Sequence, residues 1–186
     1  MKYARWSVLA VSLAVTPVLA GDFDISLTNN SVKGQVNFFN SRSDIQVATG
    51  YTYREGSRHI GNLDFYAQGR TAIGNLPTTA GVGFRGMGWS QSSLDGGALM
   101  VGGLATLNLP DVPGLSFQGG AHFAPRILSF GDSDRVVSVE TRVAYRLIPN
   151  AEVSAGYRYL NTRLDGGPRK SLNLDEGVLA GWRIFF

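Results

Sequence analysis

The stretch from Asp175 to Phe186 restricts what this chain can fold into more than any other. Val178, Ala180, Trp182, Ile184 and Phe186 alternate with Gly177, Leu179, Gly181, Arg183 and Phe185. Successive side chains on a strand point to opposite faces. One face is then continuously apolar and ends on Phe186, while the other carries Arg183. A strand with lipid on one side and a polar interior on the other has this pattern.

Trp182, Ile184 and Phe186 together resemble the C-terminal signal that the insertion machinery of bacterial outer-membrane barrels reads. The N-terminus agrees with export. Lys2 and Arg5 precede a short uncharged apolar run over residues 6–15, and Val18-Leu19-Ala20 forms a small-residue cleavage site. Residues 1–20 are expected to be a cleaved signal peptide, and residues 21–186 the mature domain. The apolar run is too short for a spanning helix, which needs ~20 residues.

Charge and composition narrow the rest. The chain has 17 Lys+Arg and 14 Asp+Glu. Removing Lys2 and Arg5 leaves 15 against 14, a net charge near +1. No basic patch suited to nucleic acid remains. The chain has no Cys, which excludes disulfides and thiolate metal sites. Its rigidity must come from elsewhere, and a closed hydrogen-bonded sheet would supply it.

Short alternating runs recur along the whole mature chain. Phe23, Ile25 and Leu27 oppose Asp24, Ser26 and Thr28; Val32, Val36 and Phe38 oppose Lys33, Gln35 and Asn37. Ile45 to Tyr53 and Leu63 to Ala67 continue the pattern, followed by runs around Val82, Leu107 and Phe117. Val137, Val139, Thr141, Val143 and Tyr145 oppose Ser138, Glu140, Arg142 and Arg146. Val153, Ala155, Tyr157 and Tyr159 oppose Glu152, Ser154, Gly156 and Arg158. The reading is an all-β fold: a transmembrane antiparallel up-and-down β-barrel of ten strands, or eight if the first hairpin does not join. Turns are expected around Arg42 and at 73–77, 110–114 and 148–150. Loops are expected at the other end, at 54–58, 91–96, 125–134 and 162–172. Short inner turns and longer outer loops are the asymmetry of such barrels.

The polar face belongs inside. Placing Arg158 against lipid near the midplane would cost ~2–4 kcal/mol. A soluble sandwich is the competing architecture, with the apolar face as its core. The expected lumen carries Asp44, Asp64, Arg85, Glu140, Arg142, Arg146, Glu152, Arg158 and Arg183. These residues either fill the lumen as a salt-bridge network or line a narrow selective pore. Glycines at 50, 81, 83, 102, 120, 156 and 181 suit a narrow interior.

Catalytic signals are thin. His122 lies on the inner face, with Ser129, Asp132 and Asp134 in the following loop, so a Ser–His–acid set is one alternative. The local pattern of lipid A deacylases is absent. His59 falls at a loop edge. No zinc spacing, P-loop or dinucleotide fingerprint occurs, and Asp132-Ser133-Asp134 lacks the other positions of a calcium loop. No cofactor is expected.

The second half resembles the YfaZ family of small outer-membrane proteins. The residues that carry this are L-N-L-P at Leu107–Pro110, H-F-A-P at His122–Pro125 and L-S at Leu128–Ser129. V-E-T-R-V-A-Y-R at Val139–Arg146 and E-V-S-A-G-Y-R-Y-L-N at Glu152–Asn161 complete the match. The resemblance implies an exported outer-membrane barrel and brings no catalytic residues. The expected role is structural or porin-like, without catalysis. The alternatives are a surface-binding protein using loops 125–134 and 162–172, and a lipid-modifying enzyme using His122. Expected partners are outer-membrane lipid and lipopolysaccharide, with periplasmic chaperones and the barrel-insertion machinery during biogenesis. The sequence leaves the oligomeric state open.

Overall fold

A computed structural model describes residues 21–38, 44–92, 94–164 and 171–186. The expected signal peptide and the turn around Arg42 lie outside the described residues. Eleven strands follow in order: β1 Gly21–Leu27, β2 Ser31–Phe38, β3 Ile45–Arg54, β4 Arg58–Ile73, β5 Leu76–Gln91, β6 Leu94–Asn108, β7 Leu115–Ala124, β8 Ser129–Gly131, β9 Ser133–Ile148, β10 Ala151–Leu164 and β11 Ser171–Phe185.

Ten of these strands close into an antiparallel barrel. Each long strand pairs with its neighbour in sequence, and β1 pairs with β11 to complete the ring. The short β8 adds three residue pairs to the edge of β6, beyond the point where β6 leaves β7. The first hairpin joins fully. β1 is bonded on both sides, to β2 and to β11, which settles ten strands over eight. Gly21 and Phe186 exchange both backbone hydrogen bonds, each 3.0 Å long, at the seam.

The strands run longer than the alternation suggests. The turn expected at 73–77 shrinks to Gly74 and Asn75, because β4 continues to Ile73 and β5 starts at Leu76. Gly74 takes φ +61°, the left-handed conformation such a tight turn requires. The expected loop at 54–58 reduces to residues 55–57, and that at 91–96 is shortened because β5 reaches Gln91 and β6 begins at Leu94. Loop 125–134 is not wholly irregular: it holds a 3-10 turn at Arg126–Leu128 and β8. The loop expected at 162–172 is trimmed on both sides, as β10 reaches Leu164 and β11 begins at Ser171.

The barrel wears its apolar side chains outside. Phe23, Leu63, Phe65, Val82, Phe84, Phe117, Val143, Val178 and Trp182 are all exposed. Cross-strand pairs such as Phe23–Ile184, Ile25–Trp182 and Phe65–Phe84 extend this belt around the wall. Monomeric soluble proteins rarely expose contiguous apolar patches above a few hundred Å².

Candidate functional site in the barrel lumen

The lumen is built in three tiers. At the end holding Gly21 and Phe186 is an open polar vestibule of about 420 Å³. Its wall is rich in amides and hydroxyls, among them Gln35, Asn37, Gln68, Asn108, Ser116 and Gln118. Asn37 Nδ2 donates to Asp22 at 2.6 Å, and Gln118 Nε2 donates to Glu152 at 3.0 Å.

A belt of ion pairs crosses the middle. Register dictates some of it. Asp64 faces Arg85, Glu140 faces Arg158, and Arg183 lies between Asp24 and Glu152 as direct cross-strand partners. Arg85 donates to both oxygens of Asp64, at 2.8 Å each, in a side-on fork. Arg183 reaches Asp22 at 3.3 Å, Asp24 at 3.2 Å and Glu152 at 3.4 Å. Further contacts add to these, and three of them, Arg142 to Asp24, Arg158 to Ser26 and Lys33 to Glu140, bridge strands that are not neighbours. Arg142 of β9 donates to Asp24 of β1 at 2.8 and 3.0 Å, and to Glu140 at 2.6 Å. Arg158 of β10 binds Glu140 at 2.9 Å, Asp175 at 3.0 Å and Ser26 Oγ at 2.5 Å. Lys33 lies 3.8 Å from Glu140.

Five cations thus meet six carboxylates: Lys33, Arg85, Arg142, Arg158 and Arg183 against Asp22, Asp24, Asp64, Glu140, Glu152 and Asp175. The excess is one negative charge. Paired in this way, the charges compensate one another across the confined lumen.

The third tier fills the loop end. Ile60, Met87, Trp89, Ala98, Met100, Ala124, Val136, Leu160 and Leu174 pack into one buried apolar cluster. Trp89 Nε1 donates to Ser133 Oγ at 2.8 Å, so its single polar atom is satisfied. A bulge builds one side of this plug. The β10–β11 register shifts at Leu160/Asn161, leaving Leu174 without a partner. Leu174 and Asp175 therefore both point inward, the first into the plug and the second into the ion-pair belt. Arg54 and Arg58 donate to the Asn173 carbonyl, and Arg58 also to the Leu174 carbonyl at 3.0 Å. These arginines take up acceptors that the bulge removes from the ladder.

Of the residues expected in the lumen, Asp64, Arg85, Glu140, Arg142, Glu152, Arg158 and Arg183 come together in the belt. Two lie elsewhere. Asp44 is exposed at the rim before β3, where its backbone carbonyl accepts from Gln68 N at 2.9 Å. It stands one residue before β3, at the open end of the wall. Arg146 stands at the vestibule mouth, its guanidinium 4.4 Å from the centre of the Phe185 ring. Trp182 and Ile184 lie on the outer wall, and Phe186 ends it. The belt also includes Asp22, Asp24, Lys33 and Asp175. The first three share the polar face of the first hairpin, which was a usable signal.

His122, Ser129 and Asp132 each make a hydrogen bond to another group. His122 Nε2 and the Tyr66 hydroxyl are 2.7 Å apart in the lumen. Ser129 Oγ donates to the Pro125 carbonyl at 3.1 Å, and Asp132 accepts from Asp95 N. His59 is on the outer surface, 2.5 Å from the Tyr51 hydroxyl and beside the Tyr53 ring. Among the described residues, no group of three or more His, Cys, Asp or Glu is placed to hold a metal ion.

The model of a family described as YfaZ precursor matches residues 1–186. No curated protein matches the chain in sequence. A solved bacterial polysaccharide outer membrane secretin superimposes with a TM-score of 0.42 at 11% identity, covering 84% of this chain. The present chain spans 55% of the length of that protein.

Proposed function

This chain belongs to the YfaZ family, and from that premise we propose that it is an outer-membrane β-barrel of structural type with a sealed lumen. The apolar belt around the wall would face lipid. Long strands such as the 16-residue β4, β5 and β9 exceed the ~9–11 residues needed to cross a bilayer. They would carry the sheet past the membrane at the loop end. The family description as a precursor fits an export signal over residues 1–20.

The observation that carries the sealed reading is the plug. A conducting pore needs a continuous wet path, and a selectivity ring presents one sign of charge to it. Here the vestibule ends at a charge-paired belt, and Ile60, Trp89, Met100 and Leu174 fill the space above. Porin-like conduction would require that plug to move.

Planar-bilayer recording tests this. Purified protein, shown to be folded by its heat-modifiable migration, should insert without steady single-channel current. Reproducible unitary currents from the wild type would overturn the sealed reading and favour the narrow pore.

A further inference from the structure

The outer face of β9 changes character at one step. Leu147, Tyr145, Val143, Thr141, Val139 and Val137 follow one another on it, with Thr141 the only polar member. Ten residue steps of ~3.3 Å at a tilt of ~40° rise about 25 Å along the barrel axis, the height of a lipid-facing band. The next outward residue is Arg135. Its direct partner across the ladder is Arg163 of β10. Both are exposed, and both lie at the loop end.

Facing residues in an antiparallel pair hold their Cβ atoms ~4.5–5.5 Å apart, and like charges there repel. Among the described residues, no carboxylate relieves this pair. Asp134 is engaged by Arg126 at 3.0 Å, and Asp132 accepts from Asp95 N. Among the described residues, neither Arg135 nor Arg163 has a carboxylate partner. Arg135 instead lies over the Phe123 ring, 5.9 Å from its centre. Phe123 and Val137 are the outward residues just below.

We infer that Arg135 and Arg163 form a seat for the phosphomonoester of a phosphorylated lipid in the leaflet at the loop end. This rests on the reading of the chain as a membrane barrel. A guanidinium fork offers parallel N–H donors that match phosphate oxygens, and an anion between two guanidinium groups converts their repulsion into attraction. A phosphomonoester brings close to two negative charges and so matches two cations. A zwitterionic headgroup brings its own cation and does not. Phe123 and Val137 would meet the upper part of the acyl chains, which fixes the depth of the phosphate.

The test uses protein purified in mild detergent from cells exporting the full chain. Native mass spectrometry is run with added bisphosphorylated lipid A or with its dephosphorylated form. The wild type should retain the phosphorylated lipid about tenfold better or more, as loss of charge-assisted hydrogen bonds predicts. R135Q/R163Q should lose the preference, and R135K/R163K should keep part of it. Equal retention of the two lipids by the wild type, or an unchanged preference in R135Q/R163Q, overturns the seat. The same samples report on the underlying reading. Protein that is folded and detergent-dependent yet shows no phosphate preference sinks the arginine seat alone; protein that stays soluble without detergent sinks both.

Discussion

Arg142 and Asp24 are joined by two hydrogen bonds although β10 and β11 lie between their strands in the barrel wall. The pair is a strut across the lumen, not a rung of the ladder. Both side chains are almost fully buried, at 6% and 4% exposed. Removing one partner leaves the other buried charge with a second partner, Glu140 for Arg142 or Arg183 for Asp24, and costs about 1.5–3 kcal/mol, the range for hydrogen bonds to charged groups. D24N and R142Q should each lower stability by that order. The double variant should be less damaged than the sum, by roughly 0.5–3 kcal/mol. Urea unfolding in lipid vesicles, followed by tryptophan fluorescence, measures all three. Strictly additive losses would show that the strut does not couple the two walls.

Gly156 marks a point where the wall allows no side chain. A Cβ there would come within 2.0 Å of the Thr141 carbonyl oxygen and 2.8 Å of Arg142 Cα. Gly83 and Gly102 are equally tight, at 2.0 Å from the Phe65 carbonyl and 2.1 Å from the Ala121 carbonyl. All three face inward, where the sheet coils most closely on itself. G156A should cost 1–3 kcal/mol or more, roughly as overpacked cores do. G61A serves as the control, because a Cβ at Gly61 meets nothing within 4 Å. Its effect should stay within about 0.5 kcal/mol. Folded yield, read from heat-modifiable migration, should separate the two variants.

The plug makes a graded prediction at Trp89. W89F keeps most of the ring but deletes the bond to Ser133, which should cost about 1 kcal/mol. W89A also empties the plug and should cost roughly 3–5 kcal/mol. Equal losses in the two variants would mean that the hydrogen bond, and not the filled volume, dominates at this position.

His122 bears on the lipid-enzyme alternative. Its Nε2 is engaged with the buried Tyr66 hydroxyl, and Ser129 is committed to Pro125. H122A should therefore destabilise the barrel by about 1–3 kcal/mol through the orphaned hydroxyl. The lipid A profile of cells carrying H122A should match that of wild-type cells. A changed profile in a variant that still folds would revive a catalytic role for this histidine.

Much of the wall was legible in the sequence because outward apolar and lumen-side polar residues contrast across its middle. Val143 against Arg142 and Phe65 against Asp64 leave little choice of face. The contrast fails at the loop end. There Ile60, Met87, Trp89 and Leu160 face inward while Arg135 and Arg163 face outward. Polarity is inverted there, so a rule that puts polar residues inside shortens those strands and overlooks the plug. The bulge hides Leu174 for a second reason. A single unpaired residue reverses the alternation, and only the register with β10 reveals it. Charged residues could be assigned to the lumen from their period alone. Their partners could not, since Asp24 and Arg142 are 118 positions apart and meet only once the ring is closed.

The seam between β1 and β11 also constrains how this molecule comes into being. β1 is among the earliest strands made and β11 among the latest, yet each is the other's neighbour. Until β11 arrives, β1 has an open row of amides and carbonyls that could template aggregation. Assembly must therefore be delayed, with the early hairpin shielded while the remaining strands are delivered. Any escort acting during that interval would have to protect the edge of β1 and release it only to β11.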